Sequence, residues 1–125
     1  MPKLVLRVST DCDDKALLRE VAEELSVGLS RLIERPLPLV GVDLQVGQIL
    51  AFAGDAKRPA AFAEVRGASN VDLSHNTQIS DFLAELLQRR FGVPSDRYYV
   101  HFQKAAREDI GTRGRTLANL AASKL

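Results

Sequence analysis

A single cysteine, Cys12, stands in the 125 residues of this chain. One thiol excludes an intramolecular disulfide and every multi-cysteine metal site. No apolar run approaches the roughly eighteen residues that a membrane-spanning helix needs. The apolar start is a short strand interrupted by Arg7, which is not the pattern of a secretory signal. Neither sign of charge dominates: 17 Lys and Arg against 16 Asp and Glu leave +1, no electrostatic footprint for nucleic acid or a membrane surface. Gly111-Thr112-Arg113-Gly114 lacks the spacing and context of a phosphate loop. His75 lies on a polar stretch and reads as a surface residue, with no second ligand at metal spacing. No Ser-His-Asp arrangement emerges from spacing. These absences predict a cytoplasmic chain from a reducing compartment, without metal or cofactor.

What is present is ordinary globular material, 46% apolar and 26% charged, enough for one domain with a real core. The chain reads as one unit used twice. Residues 3–9 alternate, with Leu4, Leu6 and Val8 on one face, which predicts a strand. Asp13 or Asp14 can cap a helix in which Leu17, Leu18, Val21, Leu25, Leu29, Leu32 and Ile33 recur at helical spacing. Arg35-Pro36-Leu37-Pro38 stops it. A strand is expected over residues 39–48, then a turn over 53–59. The pattern then repeats: a strand over 60–66, a helix over 72–91 with Gly92 at its end, and a strand over 97–103. The prediction is an α+β fold: duplicated βαβ units, a four-stranded mixed sheet, and two helices on one face. Residues 1–117 form the domain, in halves 1–57 and 58–117, with a short tail over 118–125.

Two helices cover only one side of such a sheet. The other side, with Val5, Arg7, Leu39, Gly41, Phe62, Tyr99 and His101, is partly apolar and predicts an oligomer. Short strands near residues 48–52 and 110–112 are candidates for pairing between subunits.

Pro2 is the residue of greatest chemical interest. Removal of Met1 would leave a secondary amine that is both basic and nucleophilic. An α-amine titrates near 7.7–8.0, and burial or nearby cations lower that value toward neutrality. Such a group can carry protons at physiological pH. A retained Met1 would acylate the nitrogen and abolish its basicity. A Met-Pro start is common, however, and by itself marks nothing.

Three stretches carry a resemblance that runs over nearly the whole chain. They are Met1-Pro2-Lys3-Leu4; Leu50-Ala51-Phe52-Ala53-Gly54 with Pro59-Ala60-Ala61-Phe62-Ala63-Glu64; and Ser95-Asp96-Arg97-Tyr98-Tyr99-Val100-His101-Phe102 followed by Ile110-Gly111. With the duplicated units, they make the chain resemble the tautomerase superfamily, in its macrophage migration inhibitory factor and D-dopachrome tautomerase branch. The resemblance implies a homotrimer with active sites between subunits and keto–enol tautomerisation of α-keto acids such as phenylpyruvate. Pro2 matches the catalytic base. Arg35 falls where the animal cytokine has a substrate-binding lysine; read from the sequence alone, it is equally a cation at a helix end. Tyr99 matches an active-site tyrosine given by a neighbouring subunit, and Ile110 an apolar pocket residue.

The departures bear on substrate. His101 replaces an active-site asparagine, and Ala68 a pocket isoleucine. Thr112 and Leu117 replace two aromatics that wall the cytokine's pocket, so an aromatic substrate should bind more weakly. Ala60 and Ala63 replace a Cys-x-x-Cys, which leaves no support for thiol–disulfide chemistry. The alternative reading is a cytokine-like signalling protein with weak or no tautomerase activity, a possible protein receptor, and secretion without a signal peptide. The final Ser123-Lys124-Leu125 is a peroxisomal import signal if the source cell reads it.

Overall fold

The fold is known from a computed structural model that describes residues 1–121; Ser123, Lys124 and Leu125 lie outside the described residues. Four strands form one sheet: β1 (Lys3–Val8), β2 (Gly41–Gln45), β3 (Ala61–Gly67) and β4 (Tyr98–Lys104), in the order β2-β1-β3-β4. The two central strands run antiparallel, and each pairs in parallel with its outer neighbour. The outer strands are therefore reached through helical crossovers, α1 (Lys15–Ile33) and α2 (Leu73–Phe91). This is the mixed sheet that the alternation and helical stripes predicted.

Local chemistry sets the helix ends. The Asp14 carboxylate accepts from Leu17 N–H at 3.1 Å, and the Asp72 carboxylate accepts from His75 N–H at 2.9 Å, each satisfying an otherwise orphaned donor. Gly92 ends α2 in the left-handed region at φ 66°, where a residue without Cβ carries no strain. Glu34 does the same for α1 at φ 57°. Val21, Leu25, Leu29 and Ile33 of α1 meet Ile79, Leu83, Leu86 and Leu87 of α2 over Leu4, Leu6, Val8 and Val65 of the sheet, all at most 1% exposed. Each such side chain contributes roughly 2 kcal/mol by leaving water. The helices also approach closely where Phe82 of α2 covers Gly28 of α1, so that a Cβ there would collide with the ring. On their outer sides Arg89 and Arg90 pair with Glu20, Glu24 and Glu85.

Neither α1 nor α2 covers the sheet's second face. Its register places Gln45, Arg7, Phe62 and Tyr99 in one row, and Asp43, Val5, Glu64 and His101 in the next. Tyr99 is 46% exposed there, and its ring centroid lies 4.7 Å from that of Phe62. Among the described residues, no helix is long and apolar enough to cross a membrane.

Two expectations change in detail. The second strand is shorter than residues 39–48, because Leu37–Leu39 form a 3-10 turn after Pro36. Of the two candidate pairing strands, Phe52 makes only an isolated bridge with Asp55. Gly111–Thr112 (β5) turns back on Arg115–Thr116 (β6) within the same chain, before a last short helix, α3 (Leu117–Ala121).

Arg97 anchors the loop before β3. It is 4% exposed, and its guanidinium donates to the carbonyls of Pro59, Phe52, Asp55 and Arg58 at 3.0–3.2 Å. Backbone oxygens, not a carboxylate, satisfy this buried charge.

Candidate active site

Pro2 is buried at the head of β1. Its carbonyl accepts from Gly41 N–H at 3.0 Å, which sets the start of the chain against the start of β2. Facing it is the segment that leads into β5, pinned where Leu117 N–H donates to the Ile110 carbonyl at 2.8 Å. Between them lies a cavity of about 360 Å³, walled by Met1, Pro2, Leu39 and Val42 on one side and Ile110, Gly111 and Thr112 on the other. Lys3, Gly41 and Asp43 also line it.

The α-amine lies in this setting. Burial above all, then the positive charges of Arg35 and Arg107, hold the Met1 amine below its ordinary value, because each disfavours the ammonium form. While Met1 is attached, the Pro2 nitrogen is an amide and not a base. Peptide geometry places that nitrogen only about 3 Å from the Met1 amine. Removal of Met1 therefore leaves a secondary amine in the same field.

The corner that carries Arg35 is held firmly. Ser30 Oγ donates to the Arg35 carbonyl at 2.6 Å, and Arg35 N–H donates to the Ser30 carbonyl at 3.1 Å. Asn70 Nδ2 donates to the Ile33 carbonyl at 2.8 Å. His75 lies between two carboxylates, with Nδ1 2.8 Å from Asp72 and Nε2 3.1 Å from Glu34. Its hydrogen bonds to Asp72, then to Glu34, raise its pKa above the ordinary value. The sequence marked His75 as a polar surface residue; the fold makes it a tie between the helices.

The predicted site residues divide into two groups. Pro2 and Ile110 share the cavity, and Arg35 lies near enough to act on its amine. Ala68 follows the end of β3, one residue beyond the point that faces Pro2 by continuation of the register, and does not line the cavity. Tyr99 and His101 stand on β4, separated from β1 by the whole of β3. Tyr99 shares a row with Arg7, at the end of β1 away from Pro2, about 13 Å along the strand from Lys3. Within one chain these two residues do not join Pro2.

Arg107 and Lys3 were missed by reasoning from sequence. Arg107 sits in a 3-10 turn, Arg107–Asp109, and nothing in the local pattern links it to a terminus over a hundred residues away. The two replaced aromatics also differ in fate. Thr112 lines the cavity, whereas Leu117 is 4% exposed and is not among the residues that line it. Among the described residues, no group of three or more His, Cys, Asp or Glu side chains could hold a metal ion.

Comparison with known proteins agrees with this architecture. The family model described as macrophage migration inhibitory factor matches residues 1–118. A macrophage migration inhibitory factor homolog of Trichinella spiralis is 31% identical over 88 residues, 70% of this chain and 76% of that protein. The Xenopus laevis macrophage migration inhibitory factor is 21% identical over 94% of this chain and 100% of that one. Among solved structures, the Prochlorococcus marinus homologue superposes with a TM-score of 0.85 at 25% identity, covering 92% of this chain and 98% of its own. An Entamoeba histolytica macrophage migration inhibitory factor-like protein gives 0.84 at 21% identity, over 92% and 97% of the two chains. The matched family model spans both halves of the sheet and both walls of the cavity, and the chain belongs to the macrophage migration inhibitory factor family.

Proposed function

We propose that this chain is a cofactor-independent keto–enol tautomerase of α-keto acids of the phenylpyruvate type, with the Pro2 nitrogen as base once Met1 is removed. One observation carries the reading: the amine at the head of β1 opens into a small cavity and is held below its usual pKa by burial, Arg35 and Arg107. A neutral amine at physiological pH can take a proton from the carbon next to a ketone. The electron pair left behind moves onto the carbonyl oxygen as an enolate, which Arg35 stabilises while binding the neighbouring carboxylate. The ammonium then returns its proton to that oxygen and gives the enol. In the reverse direction the carbon receives the proton.

The active assembly is a homotrimer in this reading. The uncovered sheet face lies between subunits, and Tyr99 and His101 of one copy complete the cavity of the next. The Ser123-Lys124-Leu125 terminus directs the protein to peroxisomes in a cell that reads it. The test is ketonisation of phenylpyruvate enol by protein with Met1 shown by mass to be absent, beside Pro2→Gly. Turnover that falls by most of its rate in the variant supports the proposal; equal, slow rates overturn it.

A second reading has one observation in its favour: among the described residues of one chain, no aromatic side chain lines the cavity. There the fold is kept for recognition of a protein receptor, as in a cytokine, and Pro2→Gly leaves partner binding intact.

A further inference from the structure

Pro2 and the bond before it are enclosed by the fold. Pro2 is buried at the head of β1, and its carbonyl accepts from Gly41 N–H at 3.0 Å. Lys3 follows at once and is the first residue of both ladders, opposite Gly41 of β2 and Arg66 of β3. β1 is therefore a central strand from its first residue, and Leu4 behind it is 1% exposed. Met1 lies before the ladders begin, yet it is half-buried and lines the cavity with Leu39, Val42 and Ile110.

An aminopeptidase that releases Met1 must take its side chain into a pocket of its own, hold the free amine, and bring water to the carbonyl. Hydrolysis breaks the bond from the Met1 carbonyl carbon to the Pro2 nitrogen. The hydroxyl of water joins the carbon, and the remaining proton joins the nitrogen. In the folded chain the Met1 side chain is already seated in the cavity, and the leaving nitrogen belongs to a buried residue. Access requires Met1 and Pro2 to come away together, which breaks the bond from Gly41 and returns the Pro2 ring to water. Any further room requires Lys3 to part from two strands at once, and openings within core strands are the rarest in a fold.

We propose that the fold shuts the Met1–Pro2 bond against hydrolysis, so that Met1 must be released before β1 is laid between β2 and β3. The free Pro2 amine is then made only on the unfolded chain, and a molecule that folds with Met1 attached keeps it. The partners of β1 extend to Gly67, so a growing chain leaves its start unpaired until that residue has been made. Such closure acts on how the amine is made and is independent of whether the amine is a catalytic base.

The test uses full-length chain made with methionine aminopeptidase inhibited, its Met1 confirmed by mass and its folding by circular dichroism. Purified aminopeptidase is then added, and release of Met1 is followed by mass beside a peptide of residues 1–10. The folded chain should lose Met1 at least about a hundred-fold more slowly, the factor for one backbone hydrogen bond and one buried apolar side chain. Leu4→Ala, which loosens β1 in the core, should speed release, because the open population sets the rate. If that variant fails to fold, its rate should reach that of the peptide.

A chain with Met-Gly-Ser-Gly placed ahead of Pro2 carries its Met clear of the cavity. Folded, it should be processed at the rate of its own peptide, which shows that the aminopeptidase accepts this protein. Release from the folded parent at the peptide's rate overturns the proposal. Equal resistance in the extended chain also overturns it, since the obstruction would then lie elsewhere, and so does an unchanged rate in Leu4→Ala. The readout is mass alone, so failure here is distinct from failure of Pro2 to support turnover.

Discussion

Glu34 and His75 are 41 residues apart in sequence, yet Oε2 of one lies 3.1 Å from Nε2 of the other. The contact joins the C-cap of α1 to the first turn of α2, one residue before Arg35. The same imidazole holds Asp72, the N-cap of α2, through its other nitrogen. A single side chain therefore ties together two helix ends and the corner from which Arg35 projects.

The tie should be pH-dependent. His75 has a raised pKa in the folded state and Asp72 a lowered one. The histidine's contribution is fully present below its unfolded value near 6.5 and is lost as pH rises through the raised value. The carboxylate's contribution is present above its unfolded value near 3.9 and is lost as pH falls through the lowered one. His75→Gln should therefore lower Tm most between about pH 4 and 6.5, and progressively less above that window. Thermal melts at pH 5 and pH 9 make the comparison; an equal loss at both would show an uncharged hydrogen bond instead.

The second prediction concerns the base. In Met1-free protein kcat/KM should rise with pH as the amine loses its proton, with a midpoint below the 7.7–8.0 of a free α-amine. Removal of a nearby cation relieves the ammonium, so Arg35→Gln should move the midpoint upward. A pH–rate profile of phenylpyruvate ketonisation for the two proteins checks the direction. A midpoint that stays in place would separate Arg35 from the amine.

Arg97 should be among the costliest single losses. Arg97→Met would strand four carbonyl oxygens around a buried position and lower stability by about 3 kcal/mol or more. Arg97→Lys keeps the charge but loses the planar fork that reaches all four oxygens, so it should recover only part of the loss. Urea unfolding of the three proteins would rank them.

Assembly should depend on the uncovered sheet face. Phe62→Glu adds a carboxylate to the face that already carries Asp43 and Glu64 and breaks the contact with Tyr99. The expected outcome is a lower sedimentation mass with helical circular dichroism retained. Tautomerase activity should fall with it, although Pro2, Arg35 and Ile110 are untouched. An unchanged mass would place the subunit contact elsewhere.

The sequence made the helices plain because their signals are local. Asp14, Asp72 and Gly92 are caps that act within one turn, and the apolar stripes lie on contiguous residues. The second strand was harder to bound. Pro36 and Pro38 tighten the entry into a 3-10 turn, and Gly47 bends the exit at φ 66°, so alternation persists beyond the paired residues. Pro2 could be singled out because a chain end is chemically special. Arg107 could not, since only the packing of residues 110–112 around the same cavity as the start of the chain brings its charge to bear on the amine. His75 was hidden in the same way, as its partner Glu34 belongs to the other half.

The two halves repeat with an offset of 58 residues, from Lys3 to Ala61, Lys15 to Leu73, and Ile33 to Phe91. Pro2 thus has a counterpart in Ala60, at the head of β3. That nitrogen is an ordinary peptide amide, and it donates to Ser9 Oγ at 2.9 Å. Copying a βαβ unit copies its strands, its crossover and its caps, but an internal copy never acquires a free end. On the proposed chemistry, doubling the unit enlarges the scaffold without doubling the reactive group: one half of the sheet holds the amine, and its twin can only support it.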